Sequence, residues 1–232
     1  MRVHPVSLSR AVDVPILEYH RVGIAAGLPR LTVAPSQFAA EMTWLHGAGY
    51  HAVSLARLLA ALDLHAALPS RPVVITFDDG YRDVLWNAAP LLHRLHMHAA
   101  AFVITDRVGG TDASFLDWQE LARLEALGFT IGSHTVHHLS LTALSSEQAY
   151  RELRDSRLDI QRHLRTAVWS IAYPLGRADV RVAALAARAG YLLGLTEQPG
   201  VAQRAPLLLH RFEILSTTGV GGVRALVESV RR

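Results

Sequence analysis

Short apolar runs and longer segments of helical period alternate along almost the whole chain, and this alternation limits the fold more than any other feature. The runs VPILEY (14–19), HAVS (51–54), VVITF (73–77), AAAFVIT (99–105), FTIGS (129–133), VWSIAY (168–173), YLLGLT (191–196) and LLLHRFEI (207–214) read as strands. Between them lie helical segments. One is capped by Ser36 and stops at Gly47; SLARLLAALDL is the next; a third runs from about Tyr81 to His96, with Pro90 as a kink. DWQELARLEAL (117–127) follows, then SSEQAYRELRDSRLDIQRHL (145–164), with a capping-box start at Ser145 or Ser146. A helix of about 179–189 comes next, and the tail GVGGVRALVESVRR closes with another. Strand then helix, repeated, predicts a parallel sheet covered by helices. With seven or eight strands in 232 residues and no linker or repeat, the expectation is one domain, core about 14–214, whose sheet closes into a barrel.

Half of the residues are hydrophobic and 19% charged, so a large core is affordable and wholesale disorder is not expected. No apolar stretch approaches the length of a membrane-spanning helix. The N-terminus, MRVHPVSLSRAVDV, lacks the apolar region of a signal peptide, which leaves a cytosolic chain or one whose leader has been removed. The pI near 9.7 accompanies a net charge of only +3, because every basic residue is Arg. Those arginines are scattered, so nucleic acid is not an expected partner. The chain has no Cys, which excludes disulfides, thiolate metal sites and cysteine nucleophiles. Any metal must be held by nitrogen and oxygen, and 13 His are present to do so.

In β/α barrels the chemistry lies at the C-terminal ends of the strands. Here those ends carry His20, Asp78-Asp79, Ser133-His134, Tyr173-Pro174 and His210-Arg211. Two adjacent carboxylates at a core edge repel unless a cation offsets them. Asp-Asp-Gly also reads as a turn, yet a helical segment follows it rather than a pairing strand. In HTVHH (134–138), His134 and His138 stand at i and i+4, which share a face on a helical turn and suit a divalent metal. In a chain so rich in His the pair is weak alone; its place directly after a strand strengthens it. His137 points elsewhere. One Asp and two His form a facial triad, with the second carboxylate beside it as a base. His20 reads either as a satisfied core histidine or as a residue facing the site.

These residues resemble the polysaccharide deacetylase family, the nodulation-B homology group or carbohydrate esterase family 4. TFDDG (76–80) is similar to its first motif and HTVHH (134–138) to its second. ILEYHRV (16–22), FLDWQELARLEALGFTIGSHT (115–135), ELRDSRLDI (152–160) and SIAYPLGRAD (170–179) resemble the branch of poly-N-acetylglucosamine deacetylases, and the likeness runs from about Pro15 to Phe212. The resemblance implies an α/β fold, a distorted (β/α)7 barrel of NodB-homology type. It implies a metal-dependent hydrolase removing N-acetyl groups from an acetylated glycan. Asp79, His134 and His138 would bind a divalent metal, usually zinc, with Ni, Co or Mn as substitutes, and Asp78 would be the general base. Alternatives are a deacetylase or amidase of a small molecule, and a non-catalytic glycan-binding relative.

The chain also departs from the family pattern. The third motif reads Ala172-Tyr173-Pro174-Leu175, so its Arg is lost; the backbone N–H for the oxyanion falls on Leu175, with Tyr173 and Pro174 expected against substrate. The fourth motif is missing, since Asp117-Trp118 precedes the histidines. Leu208-Leu209-His210 matches the fifth motif and makes His210 the general acid. A second alignment gives Arg211 the matching place, where it replaces the lost Arg as partner of Asp78. The Tyr-His pair of the resembling branch gives His20 a role in positioning substrate or base. Oligomeric state is not legible.

Overall fold

The structure, a computed structural model, describes residues 11–24 and 28–229. Most of the N-terminal stretch read for a leader, and the last three residues of the tail read as a closing helix, lie outside them. Eight strands form one parallel sheet: β1 Ile16–Tyr19, β2 His51–Ala52, β3 Pro72–Phe77, β4 Ala99–Val103, β5 Phe129–Ser133, β6 Ser170–Ala172, β7 Leu193–Leu195 and β8 Phe212–Glu213. Their order is β7-β6-β5-β4-β3-β1-β8, with β2 also paired to β3. The sheet curls until one segment spans both of its edges. Leu209 bridges Leu195 of β7, and a few residues later β8 pairs with Leu17 and Glu18 of β1. This is the curled α/β barrel expected, although LLLHRFEI supplies only a two-residue strand and a bridge.

Among the described residues seven α-helices cover the sheet: α1 Pro35–Gly47, α2 Leu55–Leu64, α3 Ala89–Arg94, α4 Trp118–Ala126, α5 Ser146–Leu164, α6 Val180–Ala189 and α7 Gly219–Glu228. Capping boxes start α4 at Asp117 and α5 at Ser145, so Asp117-Trp118 is a helix start. The expected Ser36 cap is not used. Ala34 is the N-cap of α1 and makes no side-chain bond, while Pro35, with its fixed φ, occupies the first turn. The helix expected from Tyr81 opens instead as a π-turn, Val84–Ala88, before α3, whose second residue Pro90 has no N–H to give. Among the described residues no helix is long and apolar enough to cross a membrane.

Side chains of a strand alternate between two faces. Leu17, Tyr19, Ile75, Phe77, Ile131 and Ile171 pack outward against the helices. Ile16, Val74, Ala100, Phe102, Ala172 and Leu209 fill the barrel. The register pairs Ile16 with Val74 and Glu18 with Thr76. Continued upward, the inward series becomes polar: Ile16, Glu18, His20 on one strand and Val74, Thr76, Asp78 on its neighbour. The barrel is therefore apolar below and ionisable at its C-terminal rim.

The interior is tightly packed at Gly132 on β5. A Cβ there would lie 2.5 Å from the Phe102 ring and 2.8 Å from the Ser170 hydroxyl. Gly132→Ala should cost about 1–3 kcal/mol of stability by overpacking. Urea unfolding at neutral pH measures it, and an unchanged midpoint would show the barrel to be looser than described.

Candidate active site

Asp79, His134 and His138 converge. Each offers one ligand atom, and the three atoms lie within 4.8 Å of one another. The Asp79 carboxylate is 3.5 Å from His134 Nε2 and 3.6 Å from His138 Nε2. His134 Nδ1 donates to the carbonyl of Ala172 at 2.8 Å, which leaves Nε2 without a proton and facing Asp79. Burial, with His134 next, lowers the His138 pKa against the pull of Asp79, so the neutral, ligating imidazole is favoured. Imidazole nitrogens from two histidines and one carboxylate oxygen fit a divalent cation of the zinc kind.

The reason expected for the His pair is corrected by the structure. Residues 134–138 form a loop, not a helical turn. Thr135 (φ 68°) and His138 (φ 58°) take left-handed backbone conformations, and the turn between them brings the rings to 4.7 Å. Asp79 (φ 72°) and Leu175 (φ 57°) are left-handed as well. Such backbone is costly for Thr and Leu, and its gathering at one rim marks a functional site. Glu152 of α5 braces the loop: it accepts the N–H groups of Val136 and His137 at 3.1 and 3.0 Å, and lies 2.6 Å from His137 Nδ1. His137 thus points away from the cluster.

Arg211 and Asp78 form the other half of the site. Both terminal guanidinium nitrogens donate to the two Asp78 oxygens at 2.8 Å, and Nε donates to the carbonyl of Thr196. Arg211 and Asp78 are 0% and 1% exposed. Burial pushes the Asp78 carboxyl up, but Arg211, then His134, outweigh it and leave it at about 2. The residue stays ionised beside the metal-type cluster.

His210 is corrected. Leu209 and Arg211 point inward, so His210 between them points out. Its ring lies against Pro199 and Gly200 and lines a separate cavity of about 370 Å³. Tyr173 is corrected too: fully buried, it donates to the carbonyl of Leu207 and belongs to the core. Pro174 is buried and shapes the turn, while Leu175 is 47% exposed at the rim. The bonds that close this turn run from Gly176 to Tyr173 and from Arg177 to Pro174, and do not use the Leu175 N–H. His20 is buried, and it clusters with Glu18 and Asp78, ligand atoms again within 4.8 Å.

The model of the polysaccharide deacetylase family matches residues 65–194. YxkH of Bacillus subtilis, named for the same family, is 30% identical over 230 residues, 97% of this chain and 80% of its own length. The chain belongs to the polysaccharide deacetylase family. It is, with that family, a hydrolase. The poly-β-1,6-N-acetyl-D-glucosamine N-deacetylase of Staphylococcus aureus is 28% identical over 157 residues, 62% of this chain and 54% of that protein, so the match spans about half of that relative. Among solved structures, the Streptococcus pyogenes deacetylase PplD in complex with acetate has a TM-score of 0.87 at 28% identity, covering 94% of this chain and 99% of that one. IcaB from Ammonifex degensii, at 21% identity, TM-score 0.83 and coverage of 96% and 100%, shares the fold.

At the position of the third-motif Arg this chain has Ala172, and the guanidinium on Asp78 comes from Arg211, the residue directly before β8. Glu18 escaped the sequence reading, although the period of ILEYH puts it on the inward face of Ile16 and His20. Asp83 was also missed; it accepts from Arg21 Nε at 2.8 Å and from the Val22 N–H at 3.3 Å, tying down the segment just after His20.

Because the folded-state value of Asp78 lies below its ordinary 3.8, its pair with Arg211 stabilises the fold fully above about pH 4 and loses that contribution as the pH falls toward 2. Arg211→Met strands a buried carboxylate and should cost about 3–5 kcal/mol at pH 7 in urea unfolding. A loss below about 1 kcal/mol would mean that solvent screens the pair.

Proposed function

We propose that this deacetylase removes N-acetyl groups from an amino-sugar polysaccharide or oligosaccharide, in a metal-dependent hydrolysis that yields acetate and a free amine. The observation that carries the reading is the convergence of Asp79, His134 and His138 beside a carboxylate, Asp78, held ionised by Arg211. The name of the S. aureus relative, and the acetate in the S. pyogenes structure, agree with it.

A divalent cation on Asp79, His134 and His138, with zinc first and Ni, Co or Mn as substitutes, supplies Lewis acidity toward the acetamide carbonyl and toward water. The chain's own residues do the rest. Asp78 takes a proton from the attacking water, and Arg211 orients its carboxylate toward that task. The Leu175 N–H, which the bonds closing its turn do not use, donates to the oxygen of the tetrahedral adduct. His20, inside the rim and beside Asp78, takes over from the outward His210 as the group that protonates the leaving nitrogen.

Two variants separate metal binding from turnover. Asp78→Asn should keep one equivalent of zinc, read by calorimetry, while acetate release from chitooligosaccharides or β-1,6-linked N-acetylglucosamine oligomers falls at least ~100-fold. His134→Ala should lose both zinc and turnover. Equal and small effects of the two changes would overturn the reading. Zinc binding by the unaltered protein without acetate release from any acetylated glycan would point to a binding protein instead.

A further inference from the structure

Glu18 is an acidic residue in the middle of β1, completely buried. Its Oε2 lies 3.2 Å from Arg211 Nε and its Oε1 lies 3.7 Å from His20 Nε2. Among the described residues neither oxygen has a hydrogen-bond partner, and neither does His20 Nδ1, although all three atoms are buried. Buried polar atoms left this way are uncommon, and each calls for a reason.

Charge supplies one. A single guanidinium, already donating to Asp78 and Thr196, faces two buried carboxylates. Were both ionised with His20 neutral, the cluster would hold an uncompensated negative charge away from water. One proton shared by Glu18 and His20 makes the cluster neutral: Asp78 against Arg211, and Glu18 with His20 as a pair. The other charges facing Glu18 are those of Glu197, on the segment after β7, and Glu213 of β8, both negative, so they also favour the held proton. By spacing alone Glu18, His20 and Asp78 could hold a second cation. The guanidinium already among them takes that role.

We infer that Glu18 is a positioning residue for the acid of the reaction: it and His20 hold one proton between them, and Glu18 keeps that proton at the imidazole. This rests on His20 being the donor to the leaving nitrogen. When the C–N bond of the tetrahedral adduct breaks, its electron pair goes to nitrogen, which takes the proton from the pair. The proton that Asp78 removed from water then refills it, so a turnover consumes one water, releases acetate and amine, and restores the enzyme.

The test compares an acetamide sugar with an aryl acetate ester, whose phenolate leaves without being protonated. Glu18→Gln keeps the shape and removes the carboxylate that holds the proton at the imidazole. On the amide its kcat should fall roughly 10- to 100-fold, short of the ~100- to 10,000-fold that a general acid supplies in full, with KM little changed. The alkaline limb of kcat should move toward acid, because removing the carboxylate 3.7 Å from the imidazole removes a charge that favours the held proton. Loss on the ester should be far smaller. Glu18→Asp should recover part of the amide rate, and it still decides the matter should Glu18→Gln fail to fold. His20→Gln should show the same split between amide and ester. If His20→Gln shows it while Glu18→Gln keeps the full amide rate and pH profile, the role of Glu18 is overturned and the donor stands. Full amide turnover by His20→Gln overturns the donor itself. Equal losses on amide and ester in Glu18→Gln would make Glu18 a packing residue.

Discussion

The site depends on a guanidinium in a place that ordinarily excludes charge. Arg211 is fully buried, and so is the carboxylate it clamps at 2.8 Å through both terminal nitrogens. A lone ion at that depth would neutralise or unfold the region around it; a pair with further bonds to Thr196 and Thr76 does neither. The clamp keeps Asp78 ionised and holds it on Arg211, apart from the Asp79, His134 and His138 cluster. In the proposed mechanism this gives the two adjacent aspartates different tasks.

Backbone geometry supplies the rest. Strand alternation sends Glu18, His20, Thr76, Asp78 and Arg211 into one barrel mouth, and four left-handed residues bend the rim loops over it. Each such residue costs of order 1–3 kcal/mol, and the surrounding contacts hold the strain: Glu152 grips the His loop, and the Ala172 carbonyl fixes the His134 ring.

Much of this was legible in the sequence. Apolar runs alternating with helical segments specified the parallel barrel, and Asp79, His134 and His138 were legible because each follows a strand. What failed did so for physical reasons. Two His four residues apart suggest a helical turn, but a left-handed loop also brings them together, and residue spacing does not tell the two apart. His210 and Arg211 are both plausible from composition, yet adjacent strand residues face opposite ways, and only the inward face of Leu209 chooses Arg211. Tyr173 looked like a substrate contact because it precedes the rim turn, but its hydroxyl has a core partner in the Leu207 carbonyl. The pairing of Arg211 with Asp78 spans 133 positions, and nothing local in either segment announces it.

The most direct test of the central claim is anomalous X-ray diffraction at the zinc edge from crystals grown with the metal. The account places one peak about 2.0–2.1 Å from His134 Nε2 and His138 Nε2, with Asp79 as the oxygen ligand and Asp78 still on Arg211. A peak among Glu18, His20 and Asp78, or an Asp78 swung off Arg211 to ligate the ion, would contradict it.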